Sequence, residues 1–193
     1  MRTGLFFGSF NPIHNGHLAI ANYIVDFTDV NELWFVVSPQ NPLKDKESLA
    51  PDYQRLEMVK RAIPFNEDRM SVCDIEMSMP RPSYTIDTIK ALEQKHLNRT
   101  FYPILGSDSM ESITQWKDYK ELIYNYKILV YPRKGSNLDE IAKTYPIKIV
   151  HAPLADYSST IVRQKLKDNH DIHNLVPESV LDYIKRAGLY QTM

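Results

Sequence analysis

The stretch LFFGSFNPIHNGHLAIANYI (residues 5–24) sets two histidines, two glycines and a proline between two apolar runs. The first run is short, aromatic and almost continuously apolar, as expected of a strand covered on both faces. The second continues as GHLAIANYIVDF (16–27), with apolar residues three and four apart, and reads as a helix. Strand, glycine-bearing loop and helix in immediate succession begin a parallel α/β sheet.

The same alternation runs outward along the chain. TGLFFG (3–8), ELWFVVS (32–38), MSVCDIE (70–76), TFYPILG (100–106), YKILVYP (126–132) and IKIVHA (147–152) read as strands. Between them PDYQRLEMVKRAI (51–63), YTIDTIKALEQKHL (84–97) and LDEIAKTY (138–145) carry helical spacing. Pro51 suits a first helical turn, and Ser83 an N-cap ahead of Tyr84. The pattern predicts a doubly wound parallel sheet over about residues 1–152. SSTIVRQKLKDN (158–169) and PESVLDYIKRAGLY (177–190) then read as two helices with no strand between them. They predict a small helical subregion (about 153–193) beside the sheet, within one domain spanning 1–193, with Gly188 as a helix stop. The loop SPQNPLKDKESLA (38–50) is long, charged and proline-punctuated, a candidate lid.

Composition narrows the function. The 193 residues are 43% hydrophobic and 24% charged, with a formal net charge of −1, so no broad basic surface invites nucleic acid or an anionic membrane. No apolar run approaches the roughly 20 residues of a spanning helix, and GLFF is too short for a signal-peptide core. The single cysteine, Cys73, excludes an intramolecular disulfide and reads as a small buried apolar residue. A cytoplasmic protein acting on small molecules is expected, and a homo-oligomer is compatible with the chain.

In a doubly wound sheet, ligands bind beyond the carboxyl ends of the strands, where the strand order reverses. That directs attention to the loops after the first, second, fourth and sixth strands. In the first of them Gly8 and Gly16 permit close backbone approach, and His14 and His17 stand three apart at a helix start, where N–H groups attract anions. Zinc ligation, turn capping and a phosphate pocket all fit two histidines so spaced. A dinucleotide-binding fingerprint does not, because GxGxxG is absent. Near the other end, Ser158, Ser159 and Thr160 open a helix with Arg163 one turn in. Hydroxyls and free N–H groups there form an anion cradle, although an ordinary cap with a solvated Arg fits as well.

Taken together, GSFNPIHNGH (8–17) and SSTIVR (158–163) resemble the paired signatures of the nucleotidylyltransferase superfamily, the HxGH enzymes, in order and about 140 residues apart. Those enzymes have a Rossmann-like sheet and join a nucleoside triphosphate to a phosphate-bearing acceptor. RPSYTIDTIKAL (81–92), LGSDSMESITQWKDY (105–119) and LVPESVLDYIKRAGLY (175–190) are similar to one branch, the bacterial nicotinate-nucleotide adenylyltransferases. The likeness runs from Leu5 to Tyr190.

This resemblance implies attack by nicotinate mononucleotide on ATP, without a covalent intermediate, giving nicotinate adenine dinucleotide and pyrophosphate in NAD biosynthesis. It implies that ATP is bound by Gly8, Ser9, Phe10, His14, His17, Gly106, Asp108, Ser159, Thr160 and Arg163. The acceptor would meet Asn11, Lys44, Ser83, Tyr84, Thr85 and Trp116. His14, His17, Lys44 and Arg163 would carry the catalysis, and Mg2+ would arrive on the ATP phosphates without a protein metal site. The chain departs from the branch at Leu43, where a histidine often precedes the lysine, at Tyr157, where an aliphatic residue is usual, and at Phe7, in place of a frequent glycine. A pantetheine-phosphate or nicotinamide-mononucleotide adenylyltransferase is the nearest rival, and a regulatory nucleotide-binding module that keeps the fold without turnover is the next.

Overall fold

The structure is a computed structural model that describes residues 1–39, 49–153 and 158–190. Among them, six parallel strands form one sheet: β1 (Arg2–Gly8), β2 (Glu32–Val37), β3 (Met70–Cys73), β4 (Thr100–Gly106), β5 (Leu129–Tyr131) and β6 (Lys148–Ile149), in the order β3-β2-β1-β4-β5-β6. The helices are α1 (Asn15–Phe27), α2 (Asp52–Ala62), α3 (Thr85–Lys95), α4 (Ser107–Glu111), α5 (Tyr119–Asn125), α6 (Leu138–Thr144), α7 (Ser159–Lys167) and α8 (Glu178–Ala187). This is the doubly wound α/β architecture expected from the alternation.

Neighbouring residues on β1 take opposite faces, as the two-residue period of a strand requires. Phe6 joins a core with Ile20 and Ile24 of α1, Met58 and Val59 of α2, Val162 of α7 and Ile184 of α8. Leu5 points into a second core with Ile86 and Ile89 of α3, Leu122 of α5 and Ile141 of α6. The two C-terminal helices pack against the sheet through this first core, to which α7 gives Val162 and α8 gives Val180, Leu181 and Ile184. Gly188 ends α8 in the left-handed region at φ 61°, as expected of a helix stop.

Three local readings change. MSVCDIE is a strand only as far as Cys73; a 3-10 turn (Ile75–Ser78) follows, with both Ile75 and Glu76 buried. The segment after β4, unassigned from periodicity, folds into α4, a second 3-10 turn (Ile113–Gln115) and α5, each too short for a helical period to show. Ser83 is not the cap of α3: Tyr84 holds the N-cap position without a side-chain cap bond. The Ser83 hydroxyl turns inward, to Glu76.

Candidate active site

The strand order reverses between β1 and β4, and a cleft of about 830 Å³ opens at that point. Gly8, Ser9, Phe10, Asn11, His14 and His17 reach it from the loop after β1, Gly106 and Asp108 from the end of β4, and Ser159, Thr160 and Arg163 from α7. Ser83, Tyr84, Thr85 and Trp116 line its other end. All these candidates therefore share one cavity. Lys44, Lys46 and most of the candidate lid lie outside the described residues.

The two histidines form a reciprocal cap. His17 N–H donates to Nδ1 of His14 at 3.3 Å, and His14 N–H donates to Nδ1 of His17 at 3.2 Å. This is a capping box with imidazoles in the two places usually held by Ser or Thr and by Glu or Gln. A nitrogen that accepts cannot carry the proton, so each ring carries its N–H on Nε2. The rings stack with centroids 3.6 Å apart and planes 24° from parallel, an arrangement that two imidazolium charges would oppose. Burial, with a lesser contribution from the Arg133 charge, lowers the pKa of His14 to about 3. Zinc would need a ring nitrogen backed by further ligands, and among the described residues no three His, Cys, Asp or Glu side chains converge to hold a metal.

The shift in His14 has a consequence for stability. A histidine whose folded pKa lies below its unfolded value of 6.5 takes up its proton more readily in the unfolded chain, so stability falls as pH drops from 6.5 toward 3. Between pH 6.5 and 5 the loss from this group is about 1.5 kcal/mol. His14→Asn keeps an N-cap acceptor and removes the titrating ring. Urea unfolding at the two pH values should show a shallower decline in that variant, and equal declines would contradict a buried neutral His14.

Tertiary hydrogen bonds lock the loop after β1 in place. Ser159 Oγ donates to the Pro12 carbonyl at 2.9 Å and Arg163 Nη1 to the Asn11 carbonyl at 2.8 Å, so the two distant motifs are joined directly. Tyr190 Oη and the Ala50 amide both donate to Oδ1 of Asn11, and Asn15 bonds the carbonyls of Leu175 and Asn174. Phe10 adopts φ 45°, a region costly for a residue with a Cβ, and its ring packs against His17 with centroids 5.1 Å apart. Gly8 is required by that ring, because a Cβ there would lie 2.8 Å from it.

Sequence reasoning missed three residues. Arg55 on α2 is fully buried, and its guanidinium donates to the carbonyls of Ser9, Ser38, Pro39 and Ala50 and to the Asp52 carboxylate, at 2.6–2.9 Å. Its sequence signal was present: with Met58, Val59 and Ala62 it completes the buried stripe of α2, a charged residue in an apolar position. Arg133, just beyond β5, lines the cleft with Nε 3.9 Å from the Asp108 carboxylate. The loop after the fifth strand is not among those to which the sequence directs attention. Glu76, in the turn after β3, also lines the cleft and is only 2% exposed. Its carboxylate accepts from Ser83 Oγ at 2.6 Å, Thr88 Oγ1 at 2.8 Å and the Ser38 hydroxyl, while burial raises its pKa. Nothing in the periodicity of MSVCDIE distinguishes Glu76 from a solvated strand residue.

At this end of the cleft, two segments distant in sequence meet. Lys117 Nζ is 2.8 Å from the Asp87 carboxylate and sits over the Tyr84 ring, which brings Trp116 beside the start of α3. The Trp116 Nε1 atom is buried without a hydrogen-bond partner among the described residues. The hydroxyls of Ser83 and Ser159 are already given to Glu76 and Pro12, so these two side chains act first as props of the cleft wall.

The profile of the cytidylyltransferase-like family matches residues 5–165. A 41% identical chain of Cytophaga hutchinsonii, aligned over 98% of both chains, is named "Probable nicotinate-nucleotide adenylyltransferase". A chain of Flavobacterium johnsoniae with the same name is 40% identical over 99% of this chain and 100% of its own. This chain belongs to the nicotinate-nucleotide adenylyltransferase family. It is accordingly a nucleotidyltransferase, an enzyme of NAD biosynthesis. The nicotinic acid mononucleotide adenylyltransferase of Plasmodium falciparum, solved with NaAD, superposes with a TM-score of 0.82 over 98% of this chain and 97% of its own. At 23% identity that likeness shows the common fold. Among the described residues no helix is long and apolar enough to cross a membrane.

Proposed function

We propose that this enzyme transfers the adenylyl group of MgATP to nicotinate mononucleotide, releasing pyrophosphate. The observation that carries the reading is the stacked, neutral histidine pair, with Nδ1 of each ring held by backbone and both rings on a cleft that also receives Arg163 and Arg133. Such a pair is built to donate through Nε2 and not to abstract a proton.

In the proposed step a phosphate oxygen of the acceptor attacks the α-phosphorus of ATP in line. The new P–O bond forms as the bond to the bridging oxygen breaks, and the electron pair departs with pyrophosphate. The attacking phosphate is already anionic near neutral pH, so no general base is needed. Rate enhancement then comes from positioning and from stabilising the charge that grows on the phosphate oxygens. His14 and His17 supply hydrogen-bond donors, and Arg163, Arg133 and Lys44 supply positive charge. Mg2+ enters as part of the nucleotide substrate and offsets triphosphate charge that would repel the incoming anion. Asp108 suits the ribose hydroxyls, while Ser159 and Thr160 place the start of α7 toward the β- and γ-phosphates. The pyridine ring would lie against Trp116, with its carboxylate facing the uncapped start of α3 near Tyr84 and Thr85.

Pyrophosphate release from MgATP across an acceptor panel tests this. Release should require nicotinate mononucleotide, and kcat/KM should exceed that for the nicotinamide form by about tenfold or more, the scale for exchanging a charged for a neutral hydrogen-bonding group. Acceptor-independent release would refute the transfer, and equal efficiency with the two acceptors would refute the carboxylate preference.

A further inference from the structure

We propose that Glu76 is a positioning residue for the acceptor: by holding the Ser83 hydroxyl it keeps the first turn of α3 open to an anionic group. This rests on nicotinate mononucleotide being the acceptor. Serine directly ahead of a helix is among the best N-caps, because its oxygen accepts from the first free amides. Ser83 stands one residue before the N-cap position, yet no side chain caps α3. Its hydroxyl is instead drawn 2.6 Å from the Glu76 carboxylate.

Glu76 is held there from three directions. Ser38 reaches it from the end of β2, Ser83 from the loop before α3, and Thr88 from within α3 at 2.8 Å. A carboxylate 2% exposed is tolerable only when its oxygens are matched by donors, and these three hydroxyls supply them. Thr88 also lies 3.1 Å from the Tyr84 carbonyl, within α3 itself, whereas Ser83 is held by Glu76 alone, so its oxygen is kept away from the first-turn amides it could otherwise accept from. The amides of the first turn, which have no intrahelical acceptor, remain available to a ligand carboxylate, and the helix dipole favours that charge.

The arrangement predicts an effect on one substrate only. Glu76→Gln keeps the side-chain shape but leaves one neutral oxygen for three hydroxyls, which weakens the hold on Ser83; a freed Ser83 can cap α3 in the ligand's place once Tyr84 joins the helix. The KM for nicotinate mononucleotide should rise about tenfold, while the KM for ATP stays within about twofold and kcat within about threefold. Because the Ser83 hydroxyl is given to Glu76, Ser83 is not itself an acceptor contact in this arrangement; adding Ser83→Ala removes only the competing oxygen, so the double variant should recover most of the acceptor affinity. A purely structural Glu76 would give additive losses and would move both KM values together. Glu76→Asp keeps the charge one methylene short of Ser83 and should reproduce the acceptor-only rise, so it serves if the glutamine variant melts. Equal changes in both KM values, no change in either, or a double variant worse than Glu76→Gln would each overturn the proposal. The wild-type enzyme is assayed first with nicotinate mononucleotide: silence there refutes the acceptor reading itself, whereas an active wild type with an indifferent Glu76 refutes only this inference.

Discussion

His17→Ala should lower kcat by about 10²–10³, the scale for removing one preorganised donor from a site where charge develops. The expectation follows from the tautomer. Nδ1 of His17 is engaged by the His14 amide at 3.2 Å, so the ring's single proton lies on Nε2, and no rearrangement is needed when phosphate charge grows. The ring is buried and braced edge-on by Phe10 and Phe6, with centroids 5.1 and 5.9 Å away, so its aim is fixed before substrate arrives. Alanine would also remove half of the reciprocal cap, which costs the fold about 1 kcal/mol. His17→Gln separates the two effects, since glutamine at this position of a capping box can still accept from the N-cap amide but lacks the second ring nitrogen. Turnover should fall in both variants while melting changes mainly in the alanine one. Near wild-type turnover in either would remove His17 from the mechanism.

The second large effect is expected beneath the histidine loop, at the buried guanidinium that holds the Ser9 carbonyl. Arg55→Met should lower the free energy of unfolding by about 3–5 kcal/mol, the range for leaving the partners of a buried charge unmatched. For a chain of this size that corresponds to a fall in Tm of roughly 6–20 °C. Four backbone carbonyls, from Ser9, Ser38, Pro39 and Ala50, converge on this one guanidinium, and a methionine can satisfy none of them. Because Ser9 belongs to the histidine loop, activity should drop together with stability. Arg55→Lys should fall between the two, its point charge reaching fewer of the acceptors than a planar fork does. A Tm within about 2 °C of wild type for Arg55→Met would mean that the carbonyls find other partners.

The class of fold was legible because its signals are local. Runs such as ELWFVV and TFYPILG can be buried on both faces only as central strands, and the helices between them carry their own apolar stripes. Gly8, His14, His17, Ser159 and Arg163 could be singled out because glycine, imidazole and guanidinium have chemistries that a generic core or surface does not need. Glu76 and Arg133 were not legible. A glutamate in an alternating strand pattern and an arginine after a short strand look the same in sequence whether they face water or a cleft.

Sequence alone determined the alternation of the strands with the longer helices, and it singled out the loop after the first strand and two motifs as candidates for one site. Each of those follows from residue type and spacing over a few positions along the chain. Only the tertiary structure decided that Ser159 and Arg163 clasp the carbonyls of Pro12 and Asn11, that the histidines fix each other's tautomer, and that Arg55 binds the loop from below. It likewise decided that Ser83 serves Glu76 and not the helix it precedes. The physical reason is common to all four. A hydroxyl, imidazole or guanidinium can bond in several ways, and which bond forms is set by the partner that folding brings within about 3 Å.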